Sequence, residues 1–386
     1  MTSELRQRWE VDFLDVADIY LAEGVEEHVI RIREEAALVL SRIAMEHVFA
    51  SGQATLDPDA AVPEDVAARQ PFFFRKRLIE YLDDRGDLVR EGSVYRPTDQ
   101  LVQRANTSEA DYFANATESP TLRAIKHFES VAGGVFAGQD SLMLLEETIG
   151  AEQTWRTWQF LMVDAGPKKA INNVVARVLD LRLRAGEPIV VFEGGAGLGA
   201  TLRAALELDG FRERAKNIQT YGFTDVNRTL MRRARDLVRD TAPELLGSLH
   251  FDRVDLDYLD EYDDLPYLQD AAADLIIFES VLYDVTDLHQ VLTSCRRILK
   301  PGGWLTFTFG SRGRPGSFFP CEMFQSTVHS YYRAKLDPPR RVNVGYISIP
   351  EWQASLEHAG FPEFRILPDV EHHQKWPYAT IVARRP

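Results

Sequence analysis

Apolar positions along the chain follow two successive periods. From Glu26 to Gly52, Val29, Ile30, Ala36, Ala37, Leu40, Ile43, Ala44 and Val48 recur at roughly helical spacing, which predicts a long amphipathic helix. A Pro- and Asp-rich connection, Thr55 to Glu64, leads to a shorter helix over Arg75 to Gly86. Two β-prone runs around Gly92, within Leu88 to Pro97, then read as a hairpin. Helix plus hairpin gives residues 71–98 a winged-helix-like outline inside a mainly helical N-terminal domain, residues 1–160. Aromatic residues gather at 108–160, among them Phe128, Trp155, Trp158 and Phe160, as core with one or two free to line a pocket.

Past residue 161 the period changes to strands alternating with helices. A helix over Ala170 to Ala185 precedes the β-branched run Ile189 to Phe192, which enters Glu193 and a loop with glycine at 194, 195, 197 and 199. Helical spacing resumes at Ala200 to Leu206. Further strands are predicted over Ile218 to Thr224, Phe251 to Asp257, Asp274 to Ser280 and Trp304 to Phe309. A helix from Asp287 to Leu299 is stopped by Lys300-Pro301-Gly302-Gly303. After an insertion at about 311–349, the ending, Trp352 through Phe361 and then apolar strands near 365 and 379, completes a domain over 161–386. The fold class is α/β, Rossmann-like, with the domain boundary between 150 and 165.

Strand, glycine loop and helix together bring backbone close to a nucleotide-like ligand. The residues after the loop narrow the choice of ligand. The second strand ends at Asp225, where a carboxylate can take both ribose hydroxyls, and no arginine comes at once for a 2′-phosphate. Asp225 lies further from the loop than the spacing of about 20 residues usual for dinucleotides. Glu193, at the loop's entry, would repel a pyrophosphate and attract the ammonium of an amino-acid group. S-adenosylmethionine fits better than NAD.

The order EGGAGLG, FTDV, DLIIFESVLYDVTDL and RRILKPGGWLTFTF resembles class I S-adenosylmethionine-dependent methyltransferases. Within that superfamily YGFTDVNRTLMRRAR and VLYDVTDLHQVL are most similar to the C-methyltransferase domains of polyketide synthases. The resemblance covers about residues 165–310 and weakens beyond. It implies a seven-stranded, mostly parallel sheet and S-adenosyl-L-methionine as cofactor. Glu193, Gly195 and Gly197 would serve the methionine portion, Asp225 the ribose and Asp255 the adenine. Gly194, Ala196, Val226 and Leu256 complete the implied cofactor contacts, and Glu279 stands near them. The layout also resembles small-molecule O-methyltransferases with a winged-helix dimerisation module, which implies a homodimer through the N-terminal domain.

The departures bear on chemistry. The family's base, a histidine, is replaced by Tyr283; its acid falls at about Phe309; its asparagine is Ser280. Catalytic candidates are therefore Tyr283, Glu279, His329 and His372, the histidines because their ordinary pKa suits proton transfer near neutrality. Tyr283 is a poor base unless neighbours lower its pKa from about 10. The pair His372-His373 with Glu371 makes no metal site, because adjacent side chains diverge.

Composition removes other classes. The net charge of −15 argues against nucleic acid as a partner. Two cysteines without metal spacing point to a reducing, cytoplasmic setting. The first residues lack the apolar core of a signal peptide, and no run approaches the roughly 20 apolar residues of a membrane span. The expected function is methyl transfer to a small, hydrophobic natural-product-type acceptor, free or carrier-protein-bound. Oxygen or nitrogen is favoured over carbon because the carbon-acid base is missing. The alternative is a cyclase or lyase of the same fold that transfers no methyl group. A nicotinamide-dependent reductase or a non-catalytic partner ranks lower.

Overall fold

The computed structural model describes residues 16–57, 60–112, 120–311, 322, 329–368 and 376–386. Val25–His47 forms the long helix, with Val29, Ile32, Ala36, Leu40 and Ile43 buried along one stripe. β1 (Ala54–Thr55), β2 (Leu88–Glu91) and β3 (Val94–Pro97) make a small antiparallel sheet in the order β1-β3-β2. The helix between β1 and β2 runs Val66–Asp84, nine residues earlier than the sequence pattern suggested. Asp65 starts it, its side chain accepting from the Ala68 N–H at 2.9 Å, and the helix runs through Pro71. That proline, which usually ends a helix, masked the true start. The helix and hairpin of the expected module are both present. Beyond them, Pro120–Phe136, Ser141–Ile149 and Ala151–Gln159 continue the helical part.

The helix Gly166–Leu183 then leads into β4 (Ile189–Gly194), β5 (Ile218–Thr224) and β6 (Leu249–Asp252). Next come β7 (Ala273–Phe278), β8 (Leu299–Gly310), β9 (Glu363–Leu367) and β10 (Tyr378–Arg384). They form one seven-stranded sheet in the order β6-β5-β4-β7-β8-β10-β9. Pairing is parallel from β6 to β8, and β10 lies antiparallel to both β8 and β9. β4 and β7 are buried on both faces, as a parallel sheet covered by helices requires. Strand order reverses between β4 and β7, so a crevice opens at their carboxyl ends.

Two local expectations are corrected. The third strand ends at Asp252 rather than at residue 257, because the Asp255 side chain accepts from the Asp257 N–H and starts a 3-10 helix over Leu256–Glu261. Lys300 to Gly303 end the preceding helix, but they continue as the irregular first part of β8, with a register shift against β7. Among the described residues no helix is long and apolar enough to cross a membrane. One apolar cluster runs from the N-terminal helices (Ile43, Phe74, Phe128) into the sheet region (Ile171, Val191, Phe223, Val382).

Candidate cofactor and acceptor site

The loop after β4 is held by short bonds to β5. Thr224 Oγ1 donates to the Glu193 carbonyl at 2.9 Å, and the Ala196 N–H donates to the Thr224 carbonyl at 2.8 Å. Gly195 and Gly197 have φ of 63° and 52°, which favours glycine at both. A β-carbon on Gly195 would lie 2.7 Å from Val281 Cγ2, so the loop presses directly on the turn after β7. Asp225 anchors the other side: Oδ2 accepts from the Gly197 N–H at 3.0 Å and Oδ1 from the Asn227 N–H at 2.7 Å. Each oxygen keeps a further lone-pair direction, enough for two hydroxyl donors. Burial raises the Asp225 pKa, with the Asn227 and Gly197 N–H groups opposing the shift.

Beside Asp225 a shallow cleft of about 530 Å³ is lined by Val226, Asn227, Arg228 and Arg253. Asp255 stands at the mouth of β6, its own N–H donating to the Tyr262 hydroxyl at 2.9 Å. Leu256 is buried near Gly194, whose added β-carbon would come within 2.7 Å of Leu256 Cδ2. Gly194, Gly195, Ala196, Gly197, Asp225 and Val226 thus share one loop-and-strand edge, with Asp255 and Leu256 in the next loop over.

Glu193 is fully buried, and one oxygen accepts from the Tyr221 hydroxyl at 2.6 Å while Oε1 has no partner among the described residues. Burial pushes its carboxyl up to about 7; the Tyr221 hydrogen bond and the nearby Thr201 hydroxyl pull the other way, and the Glu279 charge adds to the rise. Tyr221 was not legible as a site residue, since it lies in the middle of a different strand.

At the end of β7 a buried polar group gathers. Glu279 Oε1 accepts from Thr308 Oγ1 at 3.3 Å, and Lys168 Nζ lies 3.7 Å from the same oxygen. Lys168 also donates to Ser280 Oγ at 2.5 Å, and the Ser280 N–H donates to Thr308 Oγ1 at 2.9 Å. Ser280 holds φ of 51°, a left-handed conformation costly for a non-glycine residue and fixed here by those bonds. Lys168 comes from the first turn of helix Gly166–Leu183. Sequence reasoning passed over it, although Ile171 and Val175 follow at core spacing, so a lysine stands on the buried stripe.

Tyr283 lies behind this group, its ring edge-on to Tyr346 at 4.9 Å and to Tyr331 at 6.0 Å. Burial raises its pKa well above the ordinary value, and nearby Tyr346, Asp284, Glu279 and Glu322 raise it further. The phenol stays protonated and can donate a hydrogen bond, but it does not take a proton near neutrality. Asp284, next to it, is a buried carboxyl pushed up to about 7 by burial, with Arg341 opposing. Phe309 is buried against Trp352, so no acid stands there either.

Tyr331 and the Tyr346 N–H both donate to the fully buried Glu322, the latter at 2.8 Å. Arg77, from helix Val66–Asp84, approaches the same carboxylate at 3.8 Å and donates to the Val344 carbonyl at 2.6 Å. Helix Val66–Asp84 is therefore bonded to the segment that carries Glu322 and Val344. His329 begins a short 3-10 helix, His329–Tyr332, but its side chain lies outside the described residues, as does His372. Among the described residues no group of three or more His, Cys, Asp or Glu could hold a metal ion.

Residues 192–305 match the family model described as methyltransferase domain. The chain is 29% identical over 180 residues to a polyketide synthase-like protein, Preu9, of Preussia isomera, covering 46% of this chain and 8% of that protein. It thus spans under a tenth of the length of the curated relatives it matches first. Among solved structures it is similar to the DszA carbon methyltransferase, with a TM-score of 0.70 and 18% identity over 95% of this chain and 93% of the other. The CurJ carbon methyltransferase gives 0.67 and 18% over 96% and 99%.

Proposed function

We propose, from the match of residues 192–305 to a methyltransferase domain and a fold shared with carbon methyltransferases, an enzyme that transfers methyl from S-adenosyl-L-methionine to a small, hydrophobic acceptor. The observation that carries this reading is Asp225, held by two backbone N–H groups at the edge of a loop with left-handed Gly195 and Gly197. That arrangement suits a ribose diol. The orphaned Glu193 Oε1, buried beside the loop, suits an ammonium. Val226, Asp255 and Leu256 would border the adenine.

When bound, S-adenosyl-L-methionine would supply an electrophilic methyl group to an oxygen or nitrogen lone pair and leave as the neutral thioether, the acceptor's proton passing to solvent. The chain's own share is orientation and exclusion of water. With Tyr283 a protonated phenol and Phe309 apolar, oxygen or nitrogen acceptors are favoured over a carbon acid. An acceptor carried on a thioester-bearing protein or free in solution would enter beneath the helical part, residues 1–160, which would act as roof and dimerisation unit.

Calorimetric titration tests the reading. The wild type should bind S-adenosylhomocysteine at micromolar concentration and ignore NAD, and Asp225→Ala should weaken binding about 10- to 100-fold, the size of one or two charge-assisted hydrogen bonds. Binding of NAD instead would overturn the proposal. Product mass separates methyl transfer from cyclisation, which adds no methyl group.

A further inference from the structure

Helix Arg228–Thr241 follows β5 and buries Met231, Ala234 and Val238 along one stripe. Beside that stripe Arg228, Arg232, Arg235 and Arg239 recur at i, i+4, i+7 and i+11, so they share one face over about 16 Å of helix. All four are exposed. The Arg235 guanidinium lies 5.8 Å from the Phe251 ring, which turns this face toward β6, an edge strand of the large sheet. Arg253 follows β6, is exposed, and lines the cleft beside Asp225 together with Arg228.

In a chain of net charge −15, this concentration of one sign runs against the whole. Arginines nearby find carboxylates on the protein's own surface: Arg212 holds Glu244 at 2.7 Å, and Arg239 holds Asp236 at 2.8 Å. Arg228, Arg232 and Arg253 have no hydrogen bond or ion pair among the described residues. Val226, 51% exposed, lines the same cleft and adds apolar area that an approaching surface can cover. We propose that this face docks an acidic helix of a partner protein. Carboxylates along one face of a helix repeat at the spacing and rise of the arginines, so each guanidinium can fork onto one of them. A long polyanion such as RNA fits worse, because the net negative charge repels whatever extends beyond the short stripe. The inference stands apart from the cofactor reading, since it concerns the outer flank of the sheet and needs no nucleotide.

Fluorescence anisotropy with two labelled synthetic helical peptides tests the docking face. One carries Glu at i, i+4, i+7 and i+11; the other has the same composition with its Glu residues spread around all faces. The full chain should bind the face-matched peptide about tenfold more tightly, and that binding should weaken as salt rises. Arg232→Glu should lower the affinity roughly five- to tenfold, the size of one or two exposed ion pairs lost or reversed. Arg75→Glu, an equal change of charge at an exposed position on helix Val66–Asp84, should leave it unchanged. Both sites are exposed, so the fold carries either substitution. Absence of binding, equal binding of the two peptides, or equal loss in the two variants overturns the proposal. So does tighter binding of inorganic polyphosphate than of the face-matched peptide, which would mark a phosphate site instead.

Discussion

Glu193 and Asp284 each carry a carboxyl that the protein holds at about 7, against ordinary values of 4.5 and 3.8. Burial is the leading cause in both. A folded-state pKa above the unfolded one means the native state binds the extra proton, so the stabilisation is full below the unfolded value. It is then lost as pH rises through about 7. Melting temperature of the ligand-free protein should therefore fall from pH 5 to pH 8, and Glu193→Gln should flatten that slope. A slope unchanged in the variant would show that Glu193 is ionised throughout. Cofactor binding should run the other way, strengthening as Glu193 ionises, because an ammonium prefers the carboxylate. At this scale the glycine loop and Asp225 were legible, since φ above zero and a strand-end acid leave a mark in the local pattern. The Tyr221 bond to Glu193 was not, because it joins residues 28 apart across two strands. Nor was Lys168, although its helical spacing placed it inward.

Among the elements, helix Val66–Asp84 ties the N-terminal part to the segment from Tyr332 to Val344. Arg77 reaches from it to Val344 and Glu322 with its guanidinium 5.1 Å from the Tyr331 ring, and Arg69 donates to the Tyr332 and Ala334 carbonyls at 3.2 Å. Removing one partner of such a buried charge set leaves the other exposed to a low-dielectric interior, a cost of about 3–5 kcal/mol. Arg77→Ala should lower the denaturation midpoint accordingly, whereas exposed Arg75→Ala should leave it nearly unchanged. Equal small effects would mean the pair is solvated. The helix was legible only in its second half, because Pro71 argues locally for a break that tertiary packing overrides. The end of β6 was misjudged for a related reason: Asp252 to Asp257 alternate like a strand, and only the Asp255 side-chain bond to the Asp257 N–H turns the chain away.

Across the molecule, the apolar cluster that joins Ile43 and Phe74 to Ile171 and Val191 leaves no seam between the helical part and the sheet. Calorimetry should show one cooperative unfolding transition, and residues 161–386 produced alone should expose that shared face and associate. Two separated transitions would mean the boundary near 160 is a true division of stability. Alternating strands and helices made the sheet legible; the shared core was not, since helical periodicity says which face is buried but not against what. The position of β10 has a consequence for synthesis. It lies between β8 and β9, paired with one on each side. Until residues 378–384 have been made, a growing chain carries β8 with its outer edge open and β9 without its sheet partner. Such edges invite pairing with other chains. The far edge of the sheet is thus set by residues translated long after the glycine loop, and the nascent protein waits, open-edged, for one short strand to close it.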